Sequence, residues 1–228
     1  MSAGSSAGAV RELAIGGAPP LAALLGIPAK RKGIVIFAHG RGSGRLSPRN
    51  SHVAQRLREA GLATLLLDLL SPREEADRRN VFDIALLASR LRRATDWATS
   101  HPETADLPPC YFGASTGVST GSGAALRAAA GDPRIAAVVS RGGRPDLAGE
   151  AALAQVAAPT LLIVGEMDGV VIELNSAALN VMRCKREIVI VPGAGHLFEE
   201  PGTLDHVVTL AKDWFVRHVG GQHLGGKS

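Results

Sequence analysis

The chain has 228 residues, 46% of them hydrophobic and only 4% aromatic, with 25 Lys/Arg against 21 Asp/Glu and a formal charge of +4. That length suits one domain of comfortable size with material for a large core, packed mainly by Ala, Val and Leu. Twenty of the basic residues are Arg and they are scattered, so there is no basic block or basic–aromatic interleaving of the kind that binds nucleic acid. The only cysteines, Cys110 and Cys184, give neither a disulfide framework nor a metal spacing. They read as reduced thiols of a cytoplasmic protein. Met1 to Gly8 lacks a basic n-region and an apolar core, and no apolar run is long enough to span a bilayer.

Residues 1–9 and 220–228 are rich in Gly, Ser and other small or polar residues and are expected to be disordered ends. Between them, residues 10–219 are expected to form a single domain. Glu12 to Ile15 reads as an exposed edge strand. Gly33 to Ala38 (GIVIFA) is a buried-strand run that ends in His39-Gly40. Pro48 to Ala60 carries Val53, Leu57 and Ala60 on one helical stripe, with Gly61 as the stop. Leu62 to Leu67 (LATLLL) is the next strand. Asp83 to Ser100 repeats the helical stripe through Ile84, Leu87, Leu91, Ala94 and Ala98.

Pro109 to Gly113 is a third strand, followed by a helix expected over Ala124 to Ala130. Ile135 to Ser140, Thr160 to Gly165 and Glu187 to Val191 complete the strands. Thr203 reads as the N-cap of a final helix whose Val207, Val208, Ala211, Trp214 and Phe215 share a face. Continuous apolar runs indicate strands covered on both faces. Strict alternation of strand and helix predicts an α/β fold: a mostly parallel central sheet flanked by helices, with function at the carboxyl ends of the strands.

The candidate chemistry lies at those ends. Gly113-Ala114-Ser115-Thr116-Gly117 is a G-x-S-x-G signature placed directly after a strand. In that context the turn lifts a serine hydroxyl clear of the sheet. The pattern recurs in overlap as Gly117-Val118-Ser119-Thr120-Gly121, which leaves Ser119 as an alternative nucleophile. Ser115 is the first choice because it stands two residues past the strand.

A serine needs a base, a group that orients the base, and donors for the oxyanion. His196 follows the strand 187–191 in a glycine-rich loop and supplies the base. Asp168 follows the strand 160–165 and supplies the orienting acid, ahead of Glu166 and Asp146. His52, His101, His206, His218 and His223 lie on helices, loops or the tail. His39 is expected to shape the loop after its strand. Backbone N–H groups of Thr116 and of Arg41, in the loop His39-Gly40-Arg41-Gly42-Ser43-Gly44, are the expected oxyanion donors. Arg45, Arg141 and Arg144 also fall near this face. They read either as solvated loop charges or as a site for a substrate carboxylate.

Nucleotide binding is the weaker reading. Gly40-x-Gly42 lacks its third glycine, which is Arg45, and GVSTGSG lacks the phosphate lysine of a P-loop.

The segments HGRGSGRLSPRN, TLLLDLL, YFGASTG, VVSRGGRPDLAG, APTLLIVGEMD and VPGAGHLFEEPGTL, spanning Gly33 to Val219, resemble the small α/β-hydrolases of the dienelactone-hydrolase-like group. The order Ser115, Asp168, His196 is the one expected of that fold. The resemblance implies a Ser/Asp/His or Cys/Asp/His triad, no cofactor and no metal, and hydrolysis of a small-molecule ester or lactone. Dienelactone hydrolase proper uses cysteine, and serine at position 115 favours a carboxylesterase. With only Arg141 to Pro159 between the fourth and fifth strands, no large cap domain is expected. The chain departs from the group at Val118 to Gly123, where glycine and serine precede the alanine-rich helix. An insertion there would give an impaired or non-catalytic binding protein on the same scaffold.

Overall fold

The computed structural model describes residues 9–39, 44–114 and 120–220. Within these, eight strands form one sheet in the order β1-β2-β4-β3-β5-β6-β7-β8. β1 (Val10–Ile15) and β2 (Leu21–Gly26) are antiparallel to each other, and β2 runs antiparallel to β4 (Leu62–Leu67). β3 (Gly33–His39), β5 (Pro109–Ala114), β6 (Ala137–Arg141), β7 (Thr160–Gly165) and β8 (Arg186–Val191) continue the sheet from β4, all parallel.

The continuous apolar runs arise because alternate residues serve two separate cores. Ile34, Ile36 and Ala38 of β3 pack with Leu87, Leu91 and Ala94 of α4 (Ile84–Ser100) and with Ala124 and Ala128 of α5 (Thr120–Ala129). Val35 and Phe37 point the other way, toward Val53 and Leu57 of α1 (Pro48–Glu59) and Val207 and Phe215 of α8 (Thr203–Val219). Each Val, Leu, Ile or Phe side chain so buried contributes about 1.5–3 kcal/mol.

Short helices fill the remaining crossovers. They are α2 (Pro72–Glu75), α3 (Arg78–Phe82), a 3-10 turn (Pro145–Ala148), α6 (Glu150–Gln155) and the longer α7 (Gly169–Val181). The segment between β6 and β7 holds only the 3-10 turn and α6, which makes no large cap.

Local signals set several boundaries. Ser47 accepts the Asn50 N–H at the start of α1, with Pro48 at the first helical position. Gly61 takes φ +86° just beyond its end. Asp83 caps α4 through the Leu86 N–H at 2.9 Å.

Four expectations need correction. The strand Leu21–Gly26 went unrecognised. β8 is an edge strand, exposed over much of its length rather than covered on both faces; a run of apolar residues cannot report that β8 ends the sheet among the described residues. Gly202, in the left-handed region at φ 79°, is the N-cap of α8, and Thr203 is its first helical residue, its hydroxyl donating to Glu200 O at 2.7 Å. Finally, α5 starts at Thr120, four residues before the expected Ala124. Gly121, Ser122 and Gly123 are poor helix formers, but all three are buried, and packing against the sheet overrides propensity.

Candidate active site

Three strand ends converge on one edge of the sheet. β5 ends at Ala114 and β7 at Gly165, two strands away, while β8 ends at Val191 beside β7. Ser115, Thr116 and Ser119, and Arg41 in the loop after β3, lie outside the described residues. Asp168 and His196 lie within them and meet: His196 Nδ1 stands 2.6 Å from Asp168 Oδ2.

Asp168 occupies the N-cap position of α7, where a carboxylate ordinarily accepts backbone N–H groups. Here it makes no side-chain cap. The carboxylate instead faces the imidazole, where it can accept a hydrogen bond from an Nδ1–H. The pair is partly shielded, at 18% side-chain exposure for Asp168 and 31% for His196.

The loop that carries His196 is tied down at several points. Gly193 N–H donates to Glu166 Oε2 at 2.8 Å, and Met167 N–H to Ala194 O at 3.0 Å. A side chain at Gly165 would meet the Ala194 and Gly195 carbonyls at 2.5 Å, so glycine is what lets the two loops touch. Phe198, two residues beyond the histidine, is buried and takes φ 54°. Its ring anchors the loop in the α1–α8 core. A non-glycine residue there costs about 1–3 kcal/mol, which that burial offsets. The two rival acids are engaged elsewhere: Glu166 holds Gly193, and Asp146 holds Arg144 through 2.8 and 2.6 Å bonds.

A cavity of about 480 Å³ adjoins the pair. Asp168, His196 and Thr120 border it, together with Arg78, Phe82, Arg144, Leu147 and three apolar residues of α7. Of the three arginines expected to serve substrate, only Arg144 borders this cavity. Arg45 is bound to Asp68 by its guanidinium and by its backbone N–H at 2.7 Å. Arg141 is neither a solvated loop charge nor a surface carboxylate site. It is 1% exposed, with its guanidinium 6.0 Å from the Phe112 ring. Burial, reinforced by Arg49, pushes its pKa down to about 10.

Arg78, Phe82 and Thr120 are cavity residues that the sequence reading missed. Arg78 stacks on Phe82 at 5.5 Å, an i,i+4 pair on α3. That spacing was the only signal available for it. His39 bonds through Nε2 to Leu67 O at 2.6 Å, joining the ends of β3 and β4.

Beneath the cavity runs a buried polar chain. Ser140 Oγ donates to Ser122 Oγ at 2.8 Å, and Ser122 Oγ to Gly113 O at 3.2 Å. Asn175 Nδ2, on α7, donates to Gly143 O at 2.9 Å. These bonds join β5, the start of α5 and β6, and tie the loop after β6 to the helix that begins at Asp168. No cluster of three or more His, Cys, Asp or Glu able to hold a metal occurs among the described residues. No helix among them is long and apolar enough to cross a membrane.

Comparison with known proteins agrees with this fold. The model of the dienelactone hydrolase family matches residues 21–215. A dienelactone hydrolase from Anabaena variabilis is 52% identical, with a TM-score of 0.87 over 93% of this chain and 99% of its own. Est1E from Butyrivibrio proteoclasticus, 16% identical, superposes with a TM-score of 0.75 over 92% of this chain and 99% of its own; at that identity it shows the shared fold alone. These structures place the described sheet and helices in the α/β-hydrolase fold.

Two Mycobacterium tuberculosis proteins, from different strains, are each 59% identical over 209 residues and carry provisional names as phosphoribosyl transferases. The match takes in 91% of this chain and 46% of theirs, so the chain spans about half the length of the curated relatives it matches.

Proposed function

Because the chain belongs to the dienelactone hydrolase family, we propose that it is a serine hydrolase that cleaves carboxylic esters or lactones of small molecules through an acyl-enzyme. The observation that carries this reading is the 2.6 Å contact of His196 with Asp168. It sits at the carboxyl ends of neighbouring strands, on a cavity shared with the first residue of the helix that follows the G-x-S-x-G segment.

His196 takes the serine proton as the hydroxyl attacks the carbonyl, and returns it to the leaving alcohol. Asp168 holds the ring and stabilises its charged form. The serine comes from segment 115–119, with Ser115 and Ser119 as its candidates. The N–H that follows the nucleophile, Thr116 for Ser115, shares the oxyanion with a donor from the loop after β3, where Arg41 is our choice.

We further propose that an anionic group on the substrate meets Arg144 and Arg78. Both border the cavity, whose apolar wall from Phe82, Leu147 and α7 suits a short acyl or aryl group. With free thiols at Cys110 and Cys184, our proposed setting is the cytoplasm.

The transferase name of the mycobacterial relatives belongs to chains about twice as long. For this chain the contact of His196 with Asp168 supports the hydrolase reading instead.

Hydrolysis of 4-nitrophenyl acetate and of its hemisuccinate analogue tests the proposal. A burst of nitrophenol followed by steady turnover, abolished by a fluorophosphonate, is the expected result. The hemisuccinate should be preferred, and Arg78→Ala should cut that preference by about tenfold, the worth of one charge-assisted bond. Neither turnover nor labelling would leave a non-catalytic binding protein on this scaffold.

A further inference from the structure

The two overlapping G-x-S-x-G signatures share Gly117 and differ in where they end, and the second ends at Gly121, which is among the described residues. A sharp strand-to-helix turn drives the first helical turn hard against the sheet, so the residue two positions after the nucleophile has no room for a side chain. Gly121 meets that condition. A Cβ there would lie 2.6 Å from Ala114 O, 2.6 Å from Ala38 O and 2.9 Å from His39 Cα. These are backbone atoms of β5 and β3 and cannot swing aside. The residue two positions before Gly121 is Ser119.

The start of α5 points the same way. The helix begins at Thr120, directly after Ser119 in the chain, whereas Ser115 precedes it by five positions. The amide that follows Ser119 is therefore the first of the helix, one of the N–H groups left without an intrahelical acceptor at the positive end of the dipole. The first turn carries no acidic residue to compete for it.

An independent observation concerns the Thr120 side chain. It is 0% exposed, and its Oγ1 has no hydrogen-bond partner among the described residues, although Thr120 borders the cavity that holds Asp168 and His196. A buried hydroxyl left unpaired costs about 1–3 kcal/mol, so this position calls for an acceptor. An oxyanion generated beside it is such an acceptor.

We propose that Ser119 is the attacking serine and that Thr120 holds the oxyanion with both its backbone N–H and its hydroxyl. This rests on the serine hydrolase reading above. As Ser119 Oγ bonds to the carbonyl carbon, its proton passes to His196 Nε2 and the carbonyl π pair moves onto oxygen, where Thr120 donates to it. Collapse restores the carbonyl, breaks the bond to the alcohol and returns the proton to that leaving group. Water, deprotonated by His196, then releases the acid and regenerates Ser119.

The test maps the fluorophosphonate adduct on the full chain by peptide mass spectrometry, with Ser119→Ala and two Thr120 variants beside it. The expected adduct is on Ser119, and it disappears in Ser119→Ala. An adduct on Ser115, or labelling that persists in Ser119→Ala, overturns this assignment and leaves the serine hydrolase reading standing. Neither adduct nor ester turnover overturns both. Thr120→Val, which keeps the side-chain shape, should lower kcat about 10²–10³-fold, as loss of an oxyanion donor does, with little change in KM. Thr120→Ser should recover most of that loss. Equal losses in both variants, or a change confined to KM, would overturn the role of the hydroxyl.

Discussion

Among the described residues, two histidines face an aspartate at hydrogen-bonding distance, and the two pairs differ in what surrounds them. His196 Nδ1 lies 2.6 Å from Asp168 Oδ2 between the loops that leave β7 and β8. His52 Nε2 lies 2.9 Å from Asp205 Oδ1, between α1 and α8 on the outside of the molecule. The contact distances barely differ. The surroundings do: a cavity borders each pair, but the first is partly shielded and braced by glycine-mediated loop contacts, whereas the second is exposed at 41% and 69%. A histidine–aspartate contact becomes a candidate catalytic pair through what the fold places around it.

The strongest attack on this comparison is Asp168→Asn. It keeps the shape of the side chain but unsettles the Nδ1–H tautomer, and ester turnover should fall by about three to four orders of magnitude while the folded state persists by circular dichroism. Gly121→Ala targets the packing beside the site. The added methyl has only backbone to push against, so denaturant unfolding should show a loss of about 1–3 kcal/mol or more, with activity falling too. Asn175→Ala removes the donor that binds Gly143 O to α7. A loss of about 1–3 kcal/mol is expected there, as for any buried carbonyl stripped of its partner.

The helix that carries Asp205 offers a milder contrast. Burial, with smaller repulsion from Lys185 and Arg217, holds the pKa of His218 below the ordinary histidine value. The unfolded chain therefore takes up this proton first. The native state should lose stability as pH falls from about 6.5 through the folded value. Denaturation midpoints measured from pH 8 to 5 should fall less in His218→Phe than in the parent. Breaking the exposed pair with His52→Gln should cost no more than about 1 kcal/mol and leave turnover intact.

Much of this was legible in the sequence, for physical reasons that also mark where legibility stopped. β3, β4, β5 and β7 announce themselves because strands covered on both faces need apolar residues at every position. β8 has the same kind of run but lies at the edge, and nothing local distinguishes the two situations. β2 escaped notice because Leu21–Gly26 is flanked by Pro19, Pro20 and Pro28; its partners β1 and β4 make it a strand. α7 opens with Gly169-Val170-Val171-Ile172, a weak helix start by propensity, and is held by burial of Val171, Asn175 and Ala178.

At the site, His196 and Asp168 could be read because each follows an apolar run that ends a strand. Arg141 misled for the same reason. It too follows a buried run, but its side chain turns back to lie over Phe112. Thr120 was hidden by the glycines and serines around it, whose propensity argues against the helix that packing imposes.

We propose that the pair at the strand ends, and not its look-alike between the outer helices, serves as base and acid. It is tested most directly by kcat/KM for 4-nitrophenyl acetate in His196→Gln and His52→Gln, measured side by side on proteins of verified fold. His196→Gln should fall at least about a thousandfold while His52→Gln overlays the parent. Retention of activity within about tenfold in His196→Gln would contradict the account.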